Sequence, residues 1–463
     1  MNKSVDMTEG NAIKHILLFA LPMVIGNIFQ QLYNLADSVV VGRMIGSDAL
    51  GAIGATGSIS FFFFAICNGI GSGGGIITSQ FFGAHDEKRV KSCIANVGYI
   101  MIFFPLVVGF ISFFLAEPML NLLDTPIEYM RDAVLYTKIM CIGLFFVSIY
   151  NYVSSMLRAL GDSRTPLYFL IFSCIINIIL DIIFVKITLP YNLGVAGAGV
   201  ATILSQVIAG ALCLIFAFKT NPYFKLEREH TKYQPDIIIS AVKLGIPLSL
   251  QFSMIAISTM ALQRVVNSFG PIAVSAFTAT SRIEQLIHQP YQTIGASLST
   301  YCGQNYGAKK NKRVIEGYRK SMIIMFVFSL LMLPVMQFFG RPITSLFVKD
   351  APEVVEMGAM ALRISSFFYV FLGIIYVVRG VLTGIGDAVF AFINGIVEVI
   401  GRFTVPFILT AFTPLGVWGI WWSVGIVWLM SGATAWFRYL KYYNHVKNES
   451  SEASDTEDES GDA

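Results

Sequence analysis

The segment "SQFFGAHDEKRV" (residues 79–90) returns later in the chain as "GQNYGAKKNKRV" (residues 303–314). A single short match of this kind arises easily by chance. Several further positions match at the same spacing to within one residue, namely Pro22 with Pro247, Gly46 with Gly270, Thr56 with Thr280, and "LGD" (160–162) with "IGD" (385–387). Together these matches indicate an internal duplication. We therefore expect the chain to fold as two related halves.

The composition identifies the class of protein. Of the 463 residues, 55% are hydrophobic and only 13% are charged, whereas soluble domains carry about 25% charged residues. A transmembrane helix needs about 20 mostly apolar residues, and reading the chain with that length yields twelve candidate spans, six in each half. The predicted fold is an all-α polytopic membrane protein. Its twelve transmembrane helices form two six-helix lobes related by pseudo-two-fold symmetry about the membrane normal.

The predicted domain boundaries follow from the spans and from shifts in composition. Residues 1–218 are assigned to the first lobe and residues 239–440 to the second. Residues 219–238 are rich in charge and are interpreted as a cytoplasmic linker that only connects the lobes. Residues 441–463 are acidic and poor in apolar side chains, which is typical of disordered segments. We therefore expect a disordered cytoplasmic tail.

Lysine and arginine are concentrated in alternate loops along the chain. They include Lys88, Arg89, the run at 309–320 and Arg379. In membrane proteins the cytoplasmic loops carry the excess of these two residue types. These loops are therefore predicted to face the cytoplasm, and with an even number of spans both termini do so too.

The fifth span contains "IINIILDIIFV" (residues 175–185), in which Asn177 and Asp181 interrupt an apolar run. A charge at the centre of a transmembrane helix costs about 2.5–3.5 kcal/mol on insertion scales, so Asp181 needs an explanation. Asn177 lies one turn away on the same face, because residues i and i+4 are stacked on a helix. At about 1.5 Å of rise per residue, Asp37 in the first span lies at a depth similar to that of Asp181.

Two further oxygen-bearing side chains are expected in the outer half of the same lobe, Thr202 in span 6 and Tyr136 in span 4. Carboxylate, amide and hydroxyl oxygens are the ligands that small hard cations prefer. Two close carboxylates in a low dielectric also suit a shared proton, because both do not stay ionised together. The alternative is that Asp37 caps span 1 at the interface and that Asp181 hydrogen-bonds a neighbouring helix.

The second lobe lacks aspartates at these places. Glu398 and Arg402 are four residues apart on one span, and we expect them to neutralise each other. Glu284 is predicted to pair with Arg282 or with another helix. Gln251 and Gln263 are weaker candidates for lining a substrate cavity, as are the three ionisable residues Glu284, Glu398 and Arg402.

Four stretches resemble the multidrug and toxic compound extrusion (MATE) transporters, and the likeness is closest to the prokaryotic DinF-like and MepA-like subgroup. They are "LPMVIGNIFQQLYNLADSVVVGRMIG" (21–46), "RALGDSRTP" (158–166), "NIILDIIFV…LGVAGAGVAT" (177–202) and "GQNYGAKKNKRV" (303–314). The resemblance covers residues 10–445. It implies a V-shaped pair of lobes that alternate access, and the export of organic, often cationic, compounds in exchange for inward H⁺ or Na⁺.

The resemblance also assigns residues. The family's cation-coupling site falls on Asp37, Asn177, Asp181 and Thr202, which would bind Na⁺ if the protein is sodium-coupled, with Tyr136 beside them. The family's helix kink falls on Pro22, and the duplication places Pro247 at the corresponding point of the second lobe. The chain departs from the family pattern at Ile182, where a proline usually follows the aspartate of span 5.

The resemblance implies further properties. The partners would be small organic molecules and membrane lipid, with no nucleic acid and no cofactor beyond the coupling ion. The protein would act as a monomer, as a multi-pass protein of a bacterial or archaeal cytoplasmic membrane.

Two other functions are weighed against an antiporter. A lipid-linked saccharide flippase of the same superfamily would show a central cavity lined by several cations, for which Arg264, Arg282 and Arg402 are candidates. An integral-membrane enzyme is the remote alternative. The five histidines form no HExxH motif, and the chain shows no nucleophile elbow, so no enzymatic activity is expected.

Overall fold

The structure, a computed structural model, describes residues 4–122, 125–348 and 351–461. For Ser47, Leu50, Ser58, Ala256 and residues 449–461 only the backbone is described. These ranges contain no β-strand. Their α-helices are α1 (Ala12–Met44), α2 (Ser47–Gly83), α3 (Glu87–Leu122), α4 (Ile127–Ala159), α5 (Arg164–Thr188), α6 (Gly194–Thr220), α7 (Pro235–Asn267), α8 (Pro271–Gly307), α9 (Asn311–Ser345), α10 (Pro352–Ser366), α11 (Tyr369–Gly384), α12 (Ala388–Phe412) and α13 (Gly419–Gly461).

Most of these helices are long and apolar enough to cross a membrane. Within the described ranges ten qualify individually, and α10 and α11 qualify together as one span that is bent by 54° at a short break. The helix α8 has 37 residues but is too polar to qualify. It corresponds to the predicted eighth span, so twelve helical spans are present if α10 and α11 are counted as one.

The duplication is visible in the backbone. Among the described residues, eight of the nine left-handed φ angles fall into pairs whose spacing along the chain is constant to within one residue: Gly46 and Gly270, His85 (57°) and Lys309 (58°), Gly161 (82°) and Gly386 (96°), and Asn192 (54°) and Gly416 (50°). A left-handed φ is uncommon for residues other than glycine. Its recurrence at His85 and Lys309 shows that the two matching segments of the sequence form the same turn.

The chain divides into two compact units. Unit 1 comprises Met1–Met7 and Leu17–Ala256, and unit 2 comprises Thr8–Ile16 and Ile257–Ala463. The division therefore falls inside α7, whereas the sequence placed it in the linker at 219–238.

Close packing of α7 on α2 accounts for this difference. A Cβ atom on Gly73 would lie 2.5 Å from the Ala241 carbonyl oxygen, and one on Gly245 would lie 2.6 Å from the Ile70 Cα. The hydroxyl of Ser249 also donates to the Ile66 carbonyl oxygen at 2.8 Å. Small residues let helix backbones approach in this way, so the first part of α7 belongs with unit 1. Pro22 and Pro247 lie inside α1 and α7, which both continue through them.

The linker lies against α3. The Asn96 amide donates to the Lys232 carbonyl oxygen at 3.1 Å and accepts from the Gln234 backbone N–H at 2.8 Å. Lys88 forms an exposed ion pair with Glu229, and the hydrogen bond and charge of its ammonium group lower the pKa of Glu229. The expectation of a loop that only connects the lobes is therefore incomplete, since α3 holds the linker in place.

The tail differs from the expectation of disorder. The last helix, α13, continues to Gly461 through most of the acidic segment. Glutamate, which occurs four times in residues 448–461, has a good helix propensity, and a preceding helix removes the cost of nucleating a new one.

Candidate functional site

Four helices of unit 1 carry the predicted cation-site residues. Asp37 lies on α1, Tyr136 on α4, Asn177 and Asp181 on α5, and Thr202 on α6. Glycines of α6 allow these helices to approach closely. A Cβ on Gly197 would lie 2.8 Å from the Phe184 carbonyl oxygen of α5, and one on Gly199 would lie 3.3 Å from the Tyr136 ring of α4.

The structure brings the predicted residues together. The carboxyl groups of Asp37 and Asp181 lie within interaction distance of each other, and the Tyr136 hydroxyl lies in the field of both. Asn177 and Asp181 are fully buried, and Thr202 is 8% exposed. The two acidic residues therefore share one environment inside the lobe.

The polar atoms of this group are poorly satisfied. Asp37 Oδ1, both carboxyl oxygens of Asp181, both polar atoms of the Asn177 amide and the Thr202 hydroxyl are buried without a hydrogen bond of ordinary geometry. Leaving a buried polar group unpaired costs about 1–3 kcal/mol. Buried polar atoms are nearly always paired in folded proteins, with protein groups or with ordered water, so a group of this size is a candidate place for a bound ion or ordered water.

An apolar cluster covers one side of the group. It comprises Val41 one turn after Asp37, Val185 one turn after Asp181, and Val195 and Ala198 on α6, and all four are at most 1% exposed. A low-dielectric cover of this kind strengthens the interaction of the carboxylates with any bound cation.

Tyr33 is a residue that the sequence reading missed. It lies on α1 one turn before Asp37 and is 8% exposed. Its hydroxyl faces Thr202 and also lies near Asp37, Tyr136 and Asp181. The sequence feature that could have identified Tyr33 is its spacing of four residues from Asp37, because residues i and i+4 share a helix face.

The types of oxygen atom at the site limit the ligands that it can bind. It offers carboxylate, amide and hydroxyl oxygens, which suit a hard cation such as Na⁺ or a proton shared between carboxylates. Among the described residues, no three His, Cys, Asp or Glu side chains are close enough to hold a metal ion.

In unit 2 the expected pairing of Glu398 with Arg402 is incomplete, because Arg402 lies in the field of Glu398 but the direct contact is with another residue. This residue is Arg379, whose guanidinium contacts the Glu398 carboxylate and also donates to the Asn394 amide oxygen at 2.8 Å. Arg379 was expected in a cytoplasmic loop, but it lies inside α11 and is 8% exposed. A buried guanidinium is stable there because a carboxylate and an amide satisfy it.

The other unit 2 candidates have different environments. Glu284 lies near Ser365 and Arg402 and not with the exposed Arg282. The Arg402 guanidinium donates to the Thr259 hydroxyl at 3.3 Å. Gln263 forms a hydrogen bond with Asn267 at 2.8 Å. Gln251 of α7 is 7% exposed and belongs to unit 1.

Comparison with known proteins identifies the family. The family model described as MatE matches residues 22–183 and again residues 247–408, so both halves of the chain carry it. The chain belongs to the MatE family. This confirms the predicted family, which comprises multidrug efflux transporters, and the two matches confirm the duplication.

Individual relatives agree with the MatE assignment. The Bacillus subtilis protein "Probable multidrug resistance protein YpnP" is 33% identical over 444 residues, which cover 95% of this chain and 97% of the relative. The "Multidrug export protein MepA" of Staphylococcus saprophyticus is 22% identical, and the match covers 90% of this chain and 91% of the relative.

The fold is also that of solved transporters. A MOP superfamily transporter from Pyrococcus furiosus aligns with a TM-score of 0.89 at 22% identity, over 96% of this chain and 99% of that chain. The predicted all-α polytopic fold is thereby confirmed, and this MatE protein is a multi-pass membrane protein.

Proposed function

We propose that this protein is a secondary active antiporter that exports organic, often cationic, compounds in exchange for inward H⁺ or Na⁺. The main support is the group of buried, unpaired oxygens on α5 and α6 beside the Asp37 carboxyl. Such atoms suit a ligand that binds during part of a transport cycle and leaves again. A coupling cation has both properties. The names of the relatives, which are multidrug resistance and export proteins, support organic compounds as the cargo.

The proposed mechanism is alternating access driven by the acidic pair. Binding of H⁺ or Na⁺ at Asp37 and Asp181 favours one conformation, and binding of the organic compound favours the other. A ligand shifts such an equilibrium only through its different affinities for the two states. Neutralising the pair removes a repulsion between α1 and α5, so the two helices are free to repack.

Efflux of a fluorescent dye from proteoliposomes tests this proposal. With ΔpH and a sodium gradient imposed separately, the wild-type protein should transport the dye under at least one gradient. Asp181→Asn should abolish gradient-driven efflux, because the amide neither takes up a proton nor supplies a full charge to Na⁺. The variant should still insert, since the substitution removes a buried charge from α5.

Glu128→Gln is the matched control, because Glu128 is an exposed carboxylate at the start of α4. It should transport at the wild-type rate under the same gradients. Wild-type rates from Asp181→Asn would show that the acidic pair does not couple transport.

The flippase alternative has less support. The names of the relatives, which are multidrug resistance and export proteins, favour organic compounds over lipid-linked saccharides.

A further inference from the structure

We propose that unit 2 binds an anionic phospholipid on the exposed face of α9. The lipid phosphate lies at Lys312 and Arg319, and the acyl chains lie along the apolar residues that follow on the same face of the helix. This lipid site goes beyond the antiport proposal and is independent of it, because it involves neither the acidic group of unit 1 nor the transported compound.

The first turns of α9 and the turn before them are rich in positive charge. Residues 309–320 contain six lysines and arginines and a single acidic residue, Glu316. This end of α9 is predicted to face the cytoplasm. Clusters of about four to eight basic residues at the cytoplasmic end of a transmembrane helix attract anionic lipid headgroups, so this segment has the composition of a lipid-binding surface.

Two of the six cations have partners within unit 2. The Lys310 ammonium group donates to the Thr8 carbonyl oxygen at 3.2 Å, and the Arg313 guanidinium donates to the Gly10 carbonyl oxygen at 3.0 Å. Glu316 lies 4.0 Å from Arg313. Among the side chains that the structure describes, the other four cations form no ion pair and are available to an external anion: Lys309, Lys312, Arg319 and Lys320.

The basic end of this face continues into an exposed apolar surface. Lys312 and Arg319 are both exposed and lie two turns apart on one side of α9. Residues spaced alternately three and four apart share a helix face, and from Arg319 this spacing leads to three apolar residues that are between 54% and 58% exposed, Ile323, Phe326 and Leu330. From Arg319 to Leu330 the helix rises about 16 Å, which is about half of the ~30 Å hydrocarbon core of a bilayer. The face therefore presents cations at one end and apolar contacts across one leaflet.

The equivalent position of unit 1 is filled by the chain itself. At the offset between the two matching sequence segments, Lys312 corresponds to Lys88, which pairs with Glu229 of the linker. Lys320 corresponds to Asn96, whose amide forms hydrogen bonds with two other residues of the linker. In unit 2 no described segment pairs with these cations, so the place that the linker holds in unit 1 is open to an external ligand.

The apolar face favours a phospholipid over other anions. A phospholipid balances the charge of Lys312 and Arg319 and also covers Ile323 and Phe326. Free phosphate and the acidic segment at 448–463 match the cations alone. A lipid of the cytoplasmic leaflet is therefore the occupant that fits both parts of the surface.

Quenching of a fluorophore by brominated phospholipids tests the site in bilayers that contain the full-length protein. The six cysteines are buried, so a thiol-reactive fluorophore can be placed on Val327→Cys alone. Val327 lies one turn after Ile323 and is 48% exposed. Brominated phosphatidylglycerol should bind beside this fluorophore about tenfold more tightly than brominated phosphatidylcholine, because the basic residues attract its charge. Equal quenching by the two lipids overturns the proposal.

Two double variants test whether these particular cations select the lipid. Lys312→Gln/Arg319→Gln should bring the affinity ratio at Val327 close to one. The matched control is Lys88→Gln/Arg89→Gln, which removes one lysine and one arginine from the equivalent turn of unit 1, where both are paired. It should leave the ratio unchanged. Equal losses in the two double variants overturn the proposal, since the preference would then follow the net charge of the protein.

A second labelling position shows whether the preference belongs to unit 2. Phe103 on α3 corresponds to Val327 and is 68% exposed. A fluorophore on Phe103→Cys should report no preference between the two lipids. A preference as large as that at Val327 would show that the cations of α9 do not create it and would overturn the proposal.

Two further measurements separate the lipid from the other anions. Replacing the seven acidic residues of the segment 448–463 by their amides in the full-length protein should keep the ratio at Val327. A preference that arises only in this variant would show that the acidic segment holds the cations. Inorganic phosphate, compared with chloride at the same ionic strength, should not lower the ratio. Loss of the preference in phosphate alone would identify a free anion as the ligand, and either result overturns the proposal.

Discussion

Buried charged residues have different hydrogen-bonding environments in the two units. Arg379, Glu398, Asn394 and Ser431 form a closed network in which the Asn394 amide also donates to the Ser431 carbonyl oxygen at 2.9 Å. Asp181 is equally buried but has no hydrogen bond of ordinary geometry. A satisfied buried network rigidifies a fold, whereas unsatisfied groups are common at functional sites. We therefore assign the Arg379 network to stability, whereas the Asp181 group is the place proposed above for the coupling ion.

The Arg379 network leads to a stability prediction. Arg379→Met should destabilise the protein by about 3–5 kcal/mol, because it leaves the Glu398 carboxylate buried without its ion-pair partner. The double variant Arg379→Met/Glu398→Met should recover much of that loss, since it removes both charges. Thermal unfolding in detergent measures both effects.

The control for this prediction is an exposed pair. Arg341 and Glu356 are joined at 2.9 Å with side chains that are 66% and 57% exposed, and such pairs contribute about 0–1 kcal/mol. Arg341→Met should therefore leave the unfolding temperature nearly unchanged. A loss as large as that of Arg379→Met would contradict the distinction between the two pairs.

At the scale of helices, glycine determines which elements approach closely. The Cβ positions of Gly73 on α2 and Gly245 on α7 are occupied by backbone atoms of the facing helix. Backbone atoms do not move aside as flexible side chains do, so a larger residue at these positions is destabilising. The contact explains why the first part of α7 belongs to unit 1, although the duplication assigns the whole helix to the second half.

Gly73→Ala tests this contact. Its Cβ would lie 2.5 Å from the Ala241 carbonyl oxygen and 2.6 Å from the Gly245 nitrogen. The variant should be destabilised by about 1–3 kcal/mol, which is the usual cost of overpacking. Gly54→Ala on the same helix meets nothing within 4 Å and should be neutral or stabilising, because alanine favours a helix by about 1 kcal/mol over glycine. Equal unfolding temperatures for the two variants would count against backbone contact between α2 and α7.

At the scale of the whole molecule, the sequence predicts how the protein is oriented in the membrane. The excess of lysine and arginine in alternate loops predicts that both termini and the linker face the cytoplasm. The chain also offers a low-background assay, because its six cysteines are all buried.

Cysteine labelling checks the orientation. Tyr233 in the linker is 67% exposed, and Ile127 at the start of α4 is 87% exposed. A membrane-impermeant maleimide should label Tyr233→Cys in inside-out vesicles and Ile127→Cys in right-side-out vesicles. The unsubstituted protein should show little labelling in either. The reverse pattern would invert the proposed topology.

Much of the candidate site was predictable from the sequence because helical geometry is local. The four-residue spacing of Asn177 and Asp181 places them on one face, and the rise per residue gives Asp37 and Asp181 similar depths. The same argument would have included Tyr33. Because a carboxylate is costly to bury in a membrane, Asp37 and Asp181 stand out within their apolar helices and need a functional explanation.

The sequence by itself determined the membrane class, the duplication, the family resemblance and most of the acidic group, because each depends on composition, spacing or local helix geometry. Only the tertiary structure decided the partner of Glu398, the burial of Arg379, the packing of α7 on α2 and the group formed by Glu284, Ser365 and Arg402. These features join residues that are distant in the chain. Their energies depend on which side chains meet across helices, and neither hydropathy nor periodicity contains that information.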